Sequence, residues 1–342
     1  MTERISQLIL VILLCAPLAS AQNSDDPHPA GCEQYKSISI PAADLPSAGD
    51  RKELASCVSQ DLYFGFEKPA DPVRARKCAY LEREKAKKGV EDGVFSGAGL
   101  LAMIYANGKG AARNFDLALK FSCEVDGAQA ENEGRFEHLL KLKSQHWTGS
   151  DFSLCDDITS GFMMGWCAHL EERGNKVQRR RRLGQLTARW GPAEKRALSE
   201  LQAVAVRYFE TTSSREGDPG TGRAAFEIEE RASLEDGFVQ DLEKFEKGRL
   251  PQFSPADFTQ ADAKLNAVYA KLRALPPPPQ DIDPGMITFA GIKETQRVWL
   301  EYREAWVKFG RQKYPRVPAE SWRTWLTQDR TKTLEEVGQL MQ

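Results

Sequence analysis

Two stretches near the C-terminal end do most to restrict how this chain can fold: "ADAKLNAVYAKLRAL" at 261–275 and "GIKETQRVWLEYREAWVKFG" at 291–310. In the first, Leu265, Val268, Tyr269, Leu272 and Leu275 recur at intervals of three and four, which makes one apolar stripe on a helix. In the second, Ile292, Trp299, Tyr302, Trp306 and Phe309 do the same. A helix this one-sided is stabilised mainly by packing its stripe against another element. The simplest arrangement lays the two stripes against each other. Pro276 to Pro279 lie between them and favour an extended, stiff spacer of ~3.1 Å per residue.

Helical periodicity continues elsewhere, so the fold class is all-α. Only "SISIP" at 37–41 shows the two-residue alternation of a strand. From residue 51, "RKELASCVSQDLYFG" reads as a helix stopped at Gly65, and a second follows with Asp71 as N-cap and Pro72 in its first turn. The plan repeats in a small-residue helix ending at Asn107-Gly108, a Gly-rich loop and a helix starting near Asn114. A further helix covers "FEHLLKLKSQHW", and "LCDDITSGFMMGWCAHLEERG" at 154–174 reads as a helix–turn–helix. Long helices fill 176–248.

The N-terminus carries an address. An apolar run from Leu8 to Leu18 follows Arg4 and is short of the ~20 residues a bilayer requires. It ends in Ala19-Ser20-Ala21, the small-x-small pattern of signal-peptide cleavage. Residues 1–21 therefore read as a signal peptide, with the mature chain starting at Gln22 in the periplasm or outside the cell. The alternatives are a retained anchor and a lipidated Cys15. Leu14 stands directly before Cys15, where a lipid-attachment site has a small residue, so the lipoprotein reading is disfavoured. No transmembrane span is expected in the mature chain. Residues 22–50, rich in Pro, Ser, Asp and Ala, read as a mobile leader held in part by Cys32.

Export changes the reading of the cysteines. Without Cys15, six remain: Cys32, Cys57, Cys78, Cys123, Cys155 and Cys167. An even number in an oxidising compartment points to disulfides, of which six cysteines allow fifteen sets. Locality favours Cys155–Cys167 and a Cys57–Cys78 clamp across the first hairpin, which leaves Cys32–Cys123. No Cys-x-x-Cys or histidine cluster suggests a metal, and no cofactor motif is present. The Asp156, Asp157 and His169 group has no pattern that separates a site from cap carboxylates and a surface histidine.

The polar residues of the two C-terminal stretches carry a resemblance. "LNAVY", then "TQRVWLEYRE", then an Arg-x-x-x-Leu helix resemble the domain of the lysozyme-inhibitor LprI family over about 257–338. The matching residues are Leu265, Asn266, Tyr269, Gln296, Trp299, Arg303, Arg330 and Leu334. Relatives in that family often carry a cysteine after the Tyr-Arg-x-x segment. Here Trp306 stands there and no cysteine follows Cys167, so packing by Trp306, Trp322 and Trp325 must replace the cross-link.

A second resemblance lies at about 51–124. Tyr63, Asp71 and Ala75, then Tyr105, Gly108, Gly110, Asn114 and Ala118, resemble Sel-like repeats, helical hairpins related to the tetratricopeptide repeat. Two such repeats need bracing to stand alone, and Cys57, Cys78 and Cys123 are placed to supply it. The organisation expected is a signal peptide (1–21), a flexible leader (22–50), a disulfide-braced Sel-like domain (51–175), a helical connecting region (176–250) and an LprI-like domain (251–342).

Neither resemblance implies an enzyme. No Gly-x-Ser-x-Gly, His-Glu-x-x-His or phosphate loop occurs. The C-terminal resemblance implies an envelope binding protein, with lysozyme as the partner; the repeats imply a protein–protein scaffold. Charge bears on the choice. Residues 173–196 hold nine basic and one acidic side chain, and 227–246 hold eight acidic and two basic. The run Arg179 to Arg182 could bind an anion, but export and the lack of interleaved aromatics exclude nucleic acid, and pairing with the acidic helix across a hairpin is the simpler role. A cationic lysozyme needs carboxylates to hold it, and residues 255–342 hold eleven acids against thirteen bases. Glu229, Glu230, Glu235 and Asp236 of the acidic helix are the candidate interface.

Overall fold

The computed structural model describes residues 29–89, 93–276 and 286–341. The expected signal peptide, the start of the leader and the prolines after Pro276 lie outside the described residues. Every regular element among the described residues is helical, including the "SISIP" stretch, which is a turn and irregular chain. The N-terminal helices are α1 (Glu33–Lys36), α2 (Ala48–Glu53), α3 (Ser59–Phe64), α4 (Pro72–Ala86), α5 (Gly97–Asn107), α6 (Phe115–Ser122) and α7 (Gln129–Ser144). The long helices that follow are α8 (Gly161–Thr187), α9 (Pro192–Glu216), α10 (Arg223–Glu246), α11 (Pro255–Arg273), α12 (Phe289–Lys313) and α13 (Ala319–Leu340).

Local chemistry sets the ends of these helices. The Asp71 carboxylate accepts from the Arg74 amide at 3.0 Å, with Pro72 at the first helical position of α4. Asn114 caps α6 by accepting from the Leu117 amide at 3.1 Å. Ser254 and Asp257 form a reciprocal capping box on α11. Gly110 adopts φ +101°, and a Cβ there would fall 2.3 Å from the Pro72 carbonyl oxygen, so this loop can only lie on the start of α4 with glycine at its apex.

The N-terminal helices share one apolar core. Ala75, Ala79 and Tyr80 of α4 pack with Leu100, Ile104 and Tyr105 of α5, Leu117 and Phe121 of α6, and Leu139 of α7. Three disulfides tie this layer: Cys32–Cys123, Cys57–Cys78 and Cys155–Cys167. From residue 29 onward the leader is part of the layer and not a mobile arm. Cys32 and Tyr35 are buried in the core. Asp44 accepts a hydrogen bond from the Tyr105 hydroxyl at 2.8 Å and pairs with Arg76 at 3.1 Å. A buried hydroxyl and a buried guanidinium both need partners, and the leader supplies one carboxylate to both.

The second core lies in α9, α10, α12 and α13, a four-helix bundle with α11 outside against α13 and α8 outside against α10. Residues 176–250 are thus not a connecting region. Leu198, Leu201, Ala205 and Tyr208 of α9 and Phe238, Leu242 and Phe245 of α10 build the same core as Trp299, Trp306 and Phe309 of α12. The apolar stripes of α11 and α12 do not chiefly face each other. The α12 stripe is wide enough to cover α9 on one side and α13 on the other, and α11 turns Leu265 and Leu272 toward α13, where Gly338 would place a Cβ 2.9 Å from Leu272.

Helix α8 joins the two cores. It is one continuous helix where a helix–turn–helix was expected, with Trp166, Cys167 and Leu170 against the N-terminal core and Leu183 and Leu186 against the second. Arg173 of α8 lies 4.3 Å over the Phe66 ring and pairs with Asp61. Its start lies close to that of α10: a Cβ on Gly161 would meet the Thr221 carbonyl oxygen at 1.7 Å.

Trp306 stands at the centre of the bundle with no exposed surface, its ring 5.3 Å from Phe238 and Trp325, 5.6 Å from Phe309 and 6.1 Å from Trp322. Replacement by alanine empties a space that several rings line and that no single neighbour can refill. Trp306→Ala is expected to cost roughly 3–5 kcal/mol in chemical denaturation. A loss below ~1 kcal/mol would show that the ring does not fill the core.

Candidate functional site

The residues behind the C-terminal resemblance do not converge on one cleft. Leu265, Trp299 and Leu334 are core residues. Asn266 is exposed and its amide donates to Asp262, one turn back, at 3.0 Å. Tyr269 is half-buried with its ring 5.2 Å from Phe289. Arg303 lies 5.2 Å over the Trp299 ring and bonds its neighbour Glu304.

Gln296 and Arg330 belong to one buried network. Arg330 of α13 is 1% exposed and donates to both Glu216 oxygens, at 2.6 and 2.7 Å, and to the Gln296 side-chain oxygen at 3.0 Å. Burial opposes the guanidinium charge, but Glu216 and the neighbouring Tyr208 outweigh it and hold the Arg330 pKa above its ordinary value. Glu216 was not singled out in the sequence. A signal exists: Leu201, Ala205, Tyr208, Thr212 and Glu216 follow helical spacing, which puts a carboxylate on the buried face of α9.

The four acids of the expected interface separate into two pairs. Glu235 and Asp236 are not a free acidic face, because Arg179 of α8 lies against them at 2.8 and 3.4 Å. Arg179 is buried, also bonds Glu172, and must have carboxylates around it. Arg182 pairs with Glu243 at 2.9 Å and with Asp236 at 3.4 Å, and Arg180 reaches Glu67 at 2.7 Å. Apart from Glu172 and Glu67, the partners of Arg179 and Arg182 lie on α10, which runs alongside α8 in the same direction, and not on the next helix of a hairpin. The glycines at the start of α8 allow that close approach.

Glu229 and Glu230 remain, and the structure places both at a cavity of about 340 Å³ between the start of α10, the end of α9 and the end of α13. Its lining includes five carboxylates (Glu216, Asp218, Glu229, Glu230 and Glu336) and no lysine or arginine, with Phe226, Val337 and Leu340 as the apolar part. Partial burial raises the Glu230 pKa above its ordinary value, and repulsion from Glu336, Asp218 and Glu216 adds to the rise. Farther along, desolvation and then repulsion from Asp241 raise the Asp329 carboxyl in the same way. A site with this lining accepts hydrogen bonds and positive charge. It has no nucleophile–base pair, and among the described residues no group of histidine, cysteine and carboxylate side chains could hold a metal ion. His138 of α7 bonds Asp157 at 2.9 Å, far along the chain from this cavity, while His169 is exposed.

Residues 249–334, about a quarter of the chain, match the model of the family described as Lysozyme inhibitor LprI. No curated protein and no solved structure matches the chain. The matched span covers α11, α12 and most of α13. It leaves out α9 and α10, and so leaves out both Glu216 and most of the acidic cavity.

Two outcomes follow from this geometry. Arg330→Met leaves the Glu216 charge buried without its partner and is expected to cost about 3–5 kcal/mol, much of it recovered in the Arg330→Met/Glu216→Leu double variant. Denaturant titrations of the two single variants and the double variant measure the coupling, and equal losses in the single and double variants would refute it. For Glu230, the folded-state pKa lies above the ordinary value of 4.5. Its protonated form contributes stability that is complete below 4.5 and is lost as pH rises through the folded value. Glu230→Gln should therefore raise the melting temperature at neutral pH and change it little near pH 4. Melting curves at both pH values decide it; an equal effect at both would remove the ionised carboxylate as the cause.

Proposed function

We propose that this chain is an exported, non-enzymatic binding protein of the bacterial envelope whose α9–α13 unit engages a cationic protein, and that lysozyme is that protein. The observation that carries the reading is the match of residues 249–334 to a family named for lysozyme inhibition. The fold adds to it. The matched helices do not complete a core by themselves, since Arg330 finds its counter-charge on α9 and Trp306 packs against Phe238 of α10. The binding unit is therefore α9 to α13, and it brings the acid-lined cavity with it. A carboxylate-rich lining suits a cationic partner both in steering and in holding. The three disulfides fit an oxidising compartment, and among the described residues no helix is long and apolar enough to cross a membrane. Periplasmic or extracellular residence after cleavage at Ala21 completes the reading.

A scaffold acting through Sel-like hairpins at 51–124 is the second reading. Its support is the arrangement of α3 with α4 and of α5 with α6 as two successive helix pairs in one layer.

Muramidase activity measured against rising concentrations of the purified chain tests the first reading. Inhibition is expected to be weak, strongest at low salt, and sharply reduced once the Debye length falls below ~8 Å. An enzyme unaffected at low salt and large molar excess would remove lysozyme as the partner and favour the scaffold.

A further inference from the structure

The four helices of the C-terminal bundle do not form a closed ring. Packing is extensive between α10 and α9, α9 and α12, and α12 and α13. The fourth edge, between α10 and α13, is the least packed, with ring contacts at one end, where the Phe245 ring lies 5.2 Å from Trp322 and 5.1 Å from Trp325. At the other end the acid-lined cavity lies between them, with Glu230 of α10 and Glu336 of α13 in its lining.

We propose that this open seam is a docking groove for a cationic amphipathic helix of a partner protein. The proposal rests on the α9–α13 unit being a binding module, but not on the partner being a muramidase. Three features support it. The groove has an apolar part, with Phe226 and Leu340 in its lining, which matches the apolar face of an incoming helix. Glu216 is already paired with Arg330, but the other four carboxylates have no lysine or arginine among the lining residues, so positive charge for them must come from the occupant. Its middle is built from small residues. Ser233 and Thr333 line it, and one helical turn beyond Ser233, on the same face of α10, a Cβ on Gly237 would meet no atom within 4 Å. Glycine is a poor helix former, and no close approach inside this chain requires one at 237. A helix laid along the seam would make that approach.

The length of the seam decides against a small cation. The lining runs from Phe226 to Ser233 on α10 and from Thr333 to Leu340 on α13, roughly 10 Å or two helical turns along each, longer than a single small cation. A second copy of this chain is a poorer fit. The basic cavity beside α9 and α12, with Arg196, Lys308 and Arg311, is interrupted by Glu200 and Glu304 and is concave, not a protruding helix.

The test uses the purified chain with its disulfides intact and a synthetic leucine–lysine peptide of about five helical turns. Two control peptides accompany it: one with glutamate in place of lysine, and one with the same composition scrambled so that no apolar face forms. The variants are Gly237→Leu, which fills the seam with a good helix former, and the double variant Glu230→Gln/Glu336→Gln. Exposed Glu133→Gln on α7 is the control. Calorimetric titration is expected to show the leucine–lysine peptide binding the parent, at least about tenfold weaker binding by both seam variants, and no change for Glu133→Gln. Thermal melts of the seam variants should be no lower than the parent's, which separates lost binding from lost folding. The proposal is overturned if the seam variants bind as the parent does, or if the scrambled peptide binds as well as the amphipathic one. Tighter apparent binding at higher protein concentration, with self-association in sedimentation, would replace the partner with a second copy and also overturn it. If the muramidase is never inhibited but peptide binding is lost in Gly237→Leu, the groove stands and lysozyme falls. If inhibition occurs and Gly237→Leu leaves it intact, the groove falls and lysozyme stands.

Discussion

A guanidinium cannot remain unpaired inside an apolar bundle, and Arg330 is almost wholly enclosed in one. Its forked pair with Glu216 and its bond to Gln296 join α13 to α9 and to α12 at one point. Such a pair adds little net stability over an apolar replacement, but once Arg330 is present the position of Glu216 is dictated. The register of the C-terminal bundle follows from this. Glu216 must lie at the end of α9, opposite Arg330, and the aromatic cluster around Trp306 fills the layer between that pair and the α12–α13 turn. Gly310 shows how tight the layer is, since a Cβ there would fall 2.5 Å from the Trp322 indole nitrogen.

Burial of charge also decides which acids are available to a partner. The basic run on α8 and the acidic helix α10 are both conspicuous in the sequence, and both look like surfaces. Close approach of the two helices at Gly161 and Gly165 turns Arg179 inward, and Glu172, Glu235 and Asp236 surround it. What is left for a partner is the other edge of α10, where Glu230 faces Glu336 and Asp218 without a compensating cation in the lining. The mutual repulsion of these carboxylates is a cost the bundle carries at neutral pH, and a cation in the seam would relieve it.

The two cores are coupled through α8. One end of this helix carries Cys167, bonded to Cys155, and packs on the N-terminal layer; the other packs beside α9 and α10.

Sequence alone determined the helical class, because apolar spacing of three and four recurs through most of the chain and two-residue alternation is nearly absent. Caps such as Asp71, Asn114 and Ser254 were legible for the same reason, since capping is a contact between residues three apart. The kinship of the C-terminal segment was legible in a few polar and aromatic positions. Partner choice was not. Whether α12 lies on α11 or on α9 and α13 depends on the width of its stripe relative to every other stripe, a comparison across the whole chain. That the leader is packed from residue 29 depends on a tyrosine and an arginine far along the chain needing the Asp44 carboxylate. The candidate site was half legible. Glu229 and Glu230 lie in an acidic run that any reading would notice, but Glu235 and Asp236 lie in the same run and face the opposite way. Charge along a sequence is a one-dimensional quantity, and only the rotation of α10 against α8 and α13 decides which carboxylates are neutralised inside and which are left for a ligand.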